Sequence, residues 1–246
     1  MQSSKEFDMR QVVIDEIPFN PDVDAVADRL HVKPGSGRMA ALRRMVARAK
    51  EIARPKALYR VVRVEAKGDD YVIVEGAKLT SRVLRVNLAE AHRAFVYIAT
   101  CGVELEDWTR SLEGPFDQFQ ADAIAGMALM SARQALAQHL EQVFRPGQLG
   151  EMNPGSLPDW PLREQRQLFA LLEGSEATIG VQLLNSYLMT PTKSTSGLLF
   201  PTEHEYYNCQ LCPMENCPGR KAGYDPDLYD LKYRPGLVPP SREQAP

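Results

Sequence analysis

The sequence predicts an α+β domain in which a twisted antiparallel sheet is flanked by helices. Early in the chain, paired runs of β-forming residues surround a turn sequence; long helical stretches follow, and further extended segments come after them. Strands that are grouped in this way favour an α+β arrangement over a doubly wound parallel sheet. A length of 246 residues fits one such domain with a short appendage.

The N-terminal segment predicts two helices. Asn20-Pro21 can begin the first, because a side-chain acceptor precedes a proline at the first helical position. Lys33-Pro34-Gly35 should end it. A second helix is predicted over about residues 38–54, where apolar residues recur at helical spacing on one side and basic residues lie on the other.

The next segment predicts the strands of the sheet. Residues 57–66 and 71–75 are rich in Val, Tyr and Ile and flank a Gly-Asp turn, which is typical of a hairpin. Residues 79–86 are interpreted as a further strand. Residues 94–100 are almost continuously apolar and therefore predict a central strand.

The second half of the chain is predicted to be mainly helical before it becomes extended again. Helices are expected over residues 104–112, 116–144 and 161–172, the longest of which Pro146-Gly147 should end. From Ser186 the pattern is extended and interrupted by polar residues.

Three units are expected along the chain. Residues 1–204 should form the α+β domain, and residues 205–234, rich in Tyr, Cys, Pro and Gly, should pack on it as a metal-binding segment. Residues 235–246 are predicted to be a loose tail.

The composition excludes several classes of protein. Hydrophobic residues make up 44% and charged residues 25%, as in folded domains. The 29 basic and 32 acidic residues nearly balance, whereas nucleic-acid-binding proteins normally have a basic excess. No run of about 18 apolar residues predicts a membrane span, and the polar N-terminus does not resemble a secretory signal. We therefore expect a cytoplasmic protein without nucleic-acid or membrane partners.

Three of the four cysteines are closely spaced, within the segment HEYYNCQLCPMENCPGR. Two residues separate Cys209 from Cys212, and four separate Cys212 from Cys217. In a cytoplasmic chain such spacing favours a metal site over disulfides. Thiolates suit iron–sulfur clusters and zinc, and Cys-Pro is common at the end of ferredoxin-type ligand runs. An iron–sulfur cluster is the favoured interpretation, and zinc is the alternative.

The sequence leaves three alternatives for the fourth ligand of this metal site. His204 could complete a zinc site of three cysteines and one histidine. Cys101 could instead complete a set of four cysteines, although a cysteine at the end of an apolar strand is more often a small buried hydrophobic residue. In a third arrangement, one iron of a cluster is left open to a small molecule or partner.

Residues 153–172 and 179–200 resemble the activation domain of cobalamin-dependent methionine synthase and its free-standing relatives. In that family a Pro-Gly-Tyr turn precedes a short helix, and a strand with the pattern Ser-Tyr/Phe-x-Met-x-Pro-x-x-Ser-x-Ser-Gly follows. The upstream run AFVYIATCGVELEDW is similar to a strand end of the free-standing relatives. The residues that match the strand pattern are Ser186, Tyr187, Met189, Pro191, Ser194, Ser196 and Gly197.

The resemblance implies a domain that binds S-adenosylmethionine and docks on a cobalamin-binding partner. In the family, an external electron donor reduces inactive cob(II)alamin, and methyl transfer from S-adenosylmethionine traps the resulting cobalt(I). The domain's task is then mainly to position the methyl group. By resemblance, the cofactor-binding residues of this chain are Pro154, Gly155, Tyr187, Ser196 and Gly197.

Some positions depart from the family pattern. The family turn reads Arg-x-x-Pro-Gly-Tyr, whereas here Glu151 replaces the Arg and Ser156 replaces the Tyr. Gln134 stands where the family has a helical Glu. A carboxylate in place of a guanidinium reverses the charge offered to the methionine carboxylate, so weaker binding of S-adenosylmethionine is expected.

Two functions follow from these observations. In the first, the protein reactivates a corrinoid partner, either by passing electrons through an iron–sulfur centre or by transferring a methyl group from S-adenosylmethionine. In the second, it is a non-catalytic binding module with a structural zinc site and no S-adenosylmethionine. The first is favoured.

Overall fold

An antiparallel sheet forms the centre of the fold in the computed structural model, which describes residues 10–217, 219–234 and 236. Seven strands of the described chain belong to it, and two short ones form a separate hairpin. The strands are β1 (Gln11–Ile14), β2 (Lys56–Lys67), β3 (Tyr71–Val74), β4 (Ala77–Thr80), β5 (Arg93–Thr100), β6 (Leu149–Met152), β7 (Gln182–Leu183), β8 (Met189–Thr190) and β9 (Ser194–Pro201).

The order of strands in the large sheet is β4-β3-β2-β5-β9-β6. The first half of β2 also pairs with β1, and its second half pairs with β3 after a change of register between Val64 and Ala66. The predicted hairpin and the predicted central strand are both confirmed, since β5 lies between β2 and β9. All pairings of these strands are antiparallel, as the predicted fold class requires.

Helices pack on both faces of this sheet. The helices α2 and α5 lie close to the ranges expected from the sequence. The first helix is shorter than expected: it begins after the N-cap Asp22 and not at Asn20-Pro21. Helix α6 is preceded by a single 3₁₀ turn (Leu162–Glu164). The α-helices are α1 (Val23–Arg29), α2 (Gly37–Ile52), α3 (Arg82–Asn87), α4 (Val103–Ser111), α5 (Pro115–Phe144), α6 (Gln165–Leu171) and α7 (Ser175–Ile179). Within the described residues, no helix is long and apolar enough to cross a membrane.

The prediction of a strand over residues 79–86 is wrong for most of its length. β4 ends at Thr80, and α3 begins two residues later. Ser81 is the N-cap, and its hydroxyl accepts the N–H of Leu84 at 3.0 Å. The carboxylate of Asp159, which is remote in sequence, accepts the N–H of Val83 at 3.0 Å. These acceptors satisfy N–H groups that a short helix leaves without partners.

The core is divided by the sheet because neighbouring residues of a strand point to opposite faces. On one face, Val96 and Ile98 of β5 pack with Leu198 of β9 and with residues of α3, α6 and α7. On the other face, Phe95 and Tyr97 pack against α5. A third cluster joins α1, α2, α4 and the N-terminal part of α5.

The C-terminal segment returns to the first of these core clusters. Tyr206 and Tyr233 are both buried in it, and Cys212 and Leu211 pack against its edge. The segment therefore contacts the α+β domain over much of its length. The unit boundaries proposed from the sequence stay a prediction, and the loose tail over 235–246 lies outside the described residues except for Gly236.

Candidate functional site

A groove of about 340 Å³ lies where α4, α6, the β7–β8 hairpin and the start of β9 meet. Two of the five predicted cofactor-binding residues, Pro154 and Ser196, line it directly. Apart from one arginine, the lining side chains are apolar or neutral and polar. They are Arg110, Asn153, Pro154, Leu162, Gln165, Leu184, Leu188, Met189, Thr190, Thr192, Ser194, Thr195 and Ser196.

A buried hydrogen-bond chain connects the floor of this groove to Tyr187. The hydroxyl of Ser196 donates to Oε1 of Gln165 at 3.0 Å, and Nε2 of Gln165 donates to the carbonyl of Tyr187 at 3.0 Å. Tyr187 has a left-handed backbone conformation (φ 65°), and the guanidinium of Arg166 lies 4.8 Å from its ring centroid. Tyr187 therefore supports the groove from the side and is not one of its lining residues.

The two predicted glycines have packing roles beside the groove. Gly155 has a φ of +85°, and a Cβ built there would lie 2.8 Å from Leu162 Cδ1. At Gly197 a Cβ would lie 2.5 Å from Asn153 Nδ2 and 2.6 Å from the carbonyl oxygen of Met152. A side chain at either position would displace the 153–155 turn, so both glycines keep that turn against β9.

Glu151 directs its charge away from the groove. Nη2 of Arg133 in α5 lies 2.5 Å from Oε2 of Glu151, and the hydroxyl of Tyr97 donates to Oε1. Asn153 Nδ2 donates to the Tyr97 oxygen at 2.8 Å and to the Ser196 carbonyl at 2.9 Å. The expected charge reversal is thus neutralised by an arginine that sequence inspection did not associate with it.

This buried network shifts two pKa values. Burial raises the pKa of Tyr97 far above its usual value, and the adjacent carboxylate of Glu151 raises it further. Burial opposes the charge of Arg133, but Glu151 and Tyr97 more than offset this effect and raise its pKa. The ion pair and the neutral phenol are therefore the stable protonation states.

The rim of the groove holds a second ionic group, which sequence reasoning missed. Glu106 in α4 is buried and accepts three hydrogen bonds, from Arg110 Nη2 at 2.6 Å and from the backbone N–H (3.2 Å) and hydroxyl (2.8 Å) of Thr192. The spacing of four residues between Glu106 and Arg110 was a signal for a helical ion pair. Nothing in the sequence indicated that Thr192 would join it.

The cysteine-rich loop is organised by Arg220. Its guanidinium donates to the carbonyls of Cys209 at 3.1 Å and Cys212 at 2.9 Å. The Sγ of Cys209 accepts the backbone N–H of Lys221 at 3.3 Å. In the described part of the chain, however, no group of three or more His, Cys, Asp or Glu side chains is arranged to hold a metal ion. All four cysteines are free thiols.

Among the residues that the structure describes, neither Cys101 nor His204, the two candidates for a fourth metal ligand, forms a metal-binding group with Cys209, Cys212 and Cys217. Cys101 is buried in the cluster formed by α1, α2, α4 and α5, whereas Cys212 packs against the cluster on the α6 side of the sheet. Burial and the nearby charge of Glu106 raise the pKa of Cys101 to about 12. His204 is exposed. Cys101 has the environment of a core residue, which was the more frequent role expected for it.

Comparison with known proteins is consistent with this fold. The family model for the activation domain of vitamin B12-dependent methionine synthase matches residues 154–219, which include the groove turn, β9 and the three clustered cysteines. Over these residues the chain is similar to that activation domain.

Solved structures give the same fold for the wider chain. The crystal structure of the MetH reactivation domain bound to AdoHcy is similar, with a TM-score of 0.55 and 14% identity over 81% of each chain. A comparison with curated protein sequences gives no match. At this identity the structural likeness shows the fold alone.

Proposed function

We propose that this activation-domain relative reactivates a corrinoid protein. It would dock on a cobalamin-binding partner and present an S-adenosyl ligand from the groove lined by Pro154 and Ser196, while an external donor supplies the electron. The observation that supports this proposal best is that the groove adjoins the five cofactor-binding residues predicted by resemblance. Two of the positions that depart from the family pattern, Glu151 and Gln134, line a separate pocket together with Arg133.

The groove residues fit an S-adenosyl ligand in chemical character. Leu162, Leu184 and Leu188 offer apolar surface for a nucleoside, and neutral side chains such as Asn153 and Thr195 offer hydrogen-bonding groups for its polar edges. When bound, S-adenosylmethionine supplies an electrophilic methyl group. The protein's own contribution is to bind and orient the ligand, which is a positional form of catalysis.

Calorimetric titration with AdoHcy tests this assignment. We expect saturable binding at one site, which S-adenosylmethionine competes for. Leu188→Glu should weaken the binding about tenfold, since it places a carboxylate in the groove. Val143→Glu is the matched control, because Val143 is about as exposed as Leu188 but does not line the groove. Absence of binding by the unmodified chain would refute the methyl-donor role.

A metal centre on Cys209, Cys212 and Cys217 is the second part of the proposal. The donors are of the right type for an iron–sulfur cluster, and the N–H of Lys221 on the Cys209 sulfur resembles the hydrogen bonds that tune such clusters. In the described residues the three thiols are not gathered into a metal-binding group.

Metal analysis of anaerobically prepared protein decides between the alternatives for this loop. Iron, inorganic sulfide and broad visible absorption would support an iron–sulfur centre that passes electrons to the partner. Zinc in a colourless protein would support a structural site in a non-catalytic binding module. Cys212→Ser should lose the metal and keep most of the fold, because most residues of the three core clusters lie N-terminal to it. A protein without metal would remove both assignments.

A further inference from the structure

Arg110 is the one charged side chain among those that line the groove. It lies in the last turn of α4, and its Nη2 is 2.6 Å from Oε1 of Glu106. The other arginines near the groove have different partners, since Arg133 pairs with Glu151 and Arg166 stacks on Tyr187. A negative group bound in the groove would therefore meet this guanidinium first.

Glu106 holds Arg110 in place without cancelling its capacity to bind an anion. The Glu106 carboxylate is buried, and it also accepts two hydrogen bonds from Thr192. Its oxygens are thus shared among three donors. A guanidinium has five N–H donors, and the Arg110 side chain is 63% exposed, so N–H groups stay available on the groove side.

We infer that Arg110 recognises the carboxylate of the amino-acid part of the ligand. This inference rests on the proposed function, because it assumes an S-adenosyl ligand in the groove. A planar guanidinium matches the geometry of a carboxylate and forms charge-assisted hydrogen bonds with it. Arg110 is then the cation that the groove itself offers, whereas Glu151 pairs with Arg133 outside the groove.

Thr192 is fixed at the rim of the groove by its hydrogen bonds to Glu106. Its hydrogen bonds to Glu106 attach the segment between β8 and β9 to α4. Arg110 and Thr192 are thus held on the same carboxylate, and both line the groove. Glu106 acts as a positioning residue in this arrangement, whereas Arg110 contacts the ligand.

Two ligands that differ in the amino-acid part test the inference. AdoHcy carries the carboxylate, and 5′-methylthioadenosine has the same thionucleoside without it. Calorimetry should show that Arg110→Ala weakens AdoHcy binding about tenfold to thirtyfold and changes methylthioadenosine binding by less than about twofold. Arg110→Lys should recover part of the loss. Arg43→Ala is the matched control, because Arg43 is 59% exposed and pairs with Asp24 away from the groove.

The outcomes separate this inference from the proposed function. The role of Arg110 would be overturned if Arg110→Ala weakened the binding of both ligands equally, or if it did not weaken AdoHcy binding. In either case, AdoHcy binding by the unmodified chain would still support the proposed function. Failure of the unmodified chain to bind either ligand would overturn the proposed function and the inference together. Methylthioadenosine binding by Arg110→Ala also reports that the groove has kept its shape.

Discussion

Removing Arg133 should destabilise the protein because it leaves the carboxylate of Glu151 without its cation. In Arg133→Met the apolar part of the side chain is largely kept, whereas the contact of 2.5 Å between Nη2 and Oε2 is lost. Tyr97 and Asn153 still contact Glu151, but neither carries a positive charge. The perturbation is therefore mainly electrostatic.

The expected cost follows from the burial of the pair. Removing one partner of a fully buried ion pair costs about 3–5 kcal/mol, and an exposed pair contributes at most about 1 kcal/mol. The side chains of Arg133 and Glu151 are 29% and 22% exposed, which lies between these cases. We expect the free energy of unfolding to fall by about 2–3 kcal/mol.

Urea denaturation followed by circular dichroism measures this change, provided that the m-value stays constant. Arg48→Met is the matched control: its partner is Glu51, and the two side chains are 57% and 67% exposed, so the loss should be below about 0.5 kcal/mol. The double variant Arg133→Met with Glu151→Gln should recover much of the loss, because no unpaired charge remains. Equal losses for Arg133→Met and Arg48→Met would refute this reasoning.

Three further predictions concern packing, thiol reactivity and pH. Gly197→Ala should cost more than about 2 kcal/mol in urea denaturation because its Cβ meets backbone, whereas Gly126→Ala, with open space inside α5, should stabilise by about 0.5–1 kcal/mol. In metal-free native protein, three thiols should react with a chromogenic disulfide, and Cys101 should react only in denaturant. Burial raises the pKa of Tyr97 and Tyr206 in the folded protein. Their contribution to the free energy of unfolding should therefore be complete below about pH 10 and should fall progressively as the pH rises above that value.

Each of these predictions has a contradicting result. Equal effects of the two glycine substitutions would mean that β9 and the adjacent turn can separate freely. Fast reaction of all four thiols would place Cys101 at the surface. A free energy of unfolding that stays constant from neutral pH to pH values well above the usual tyrosine pKa, measured in urea, would show that the buried phenols titrate normally.

Much of the fold could be predicted from local sequence. The apolar run of β5 and the alternating hairpin of β2 and β3 have patterns that burial on the sheet requires. The helix α3 was missed although its N-cap, Ser81, is a local signal. Its start also depends on Asp159, which lies 76 residues from Val83. The sequence around α3 contains no information about the contact of Val83 with Asp159.

The candidate site was only partly accessible to sequence reasoning. The resemblance predicts Pro154 and Ser196 as site residues, and both line the groove of the folded chain. The charge of Glu151 was misjudged, because its neutralisation by Arg133 requires α5 to lie beside β6. Arg110 was missed for the same reason: only the folded chain brings α4 to the β8–β9 segment.

The most direct test of the proposed function is methyl transfer to cobalt. Cob(II)alamin, the one-electron reductant titanium(III) citrate and S-adenosylmethionine are incubated anaerobically with the chain. One electron gives cob(I)alamin, whose electron pair takes the methyl group and releases AdoHcy. We expect methylcobalamin and AdoHcy in equal amounts, formed faster with the unmodified chain than without it, and more slowly with Leu188→Glu than with Val143→Glu. Equal rates with and without the chain would contradict the proposed role in corrinoid reactivation.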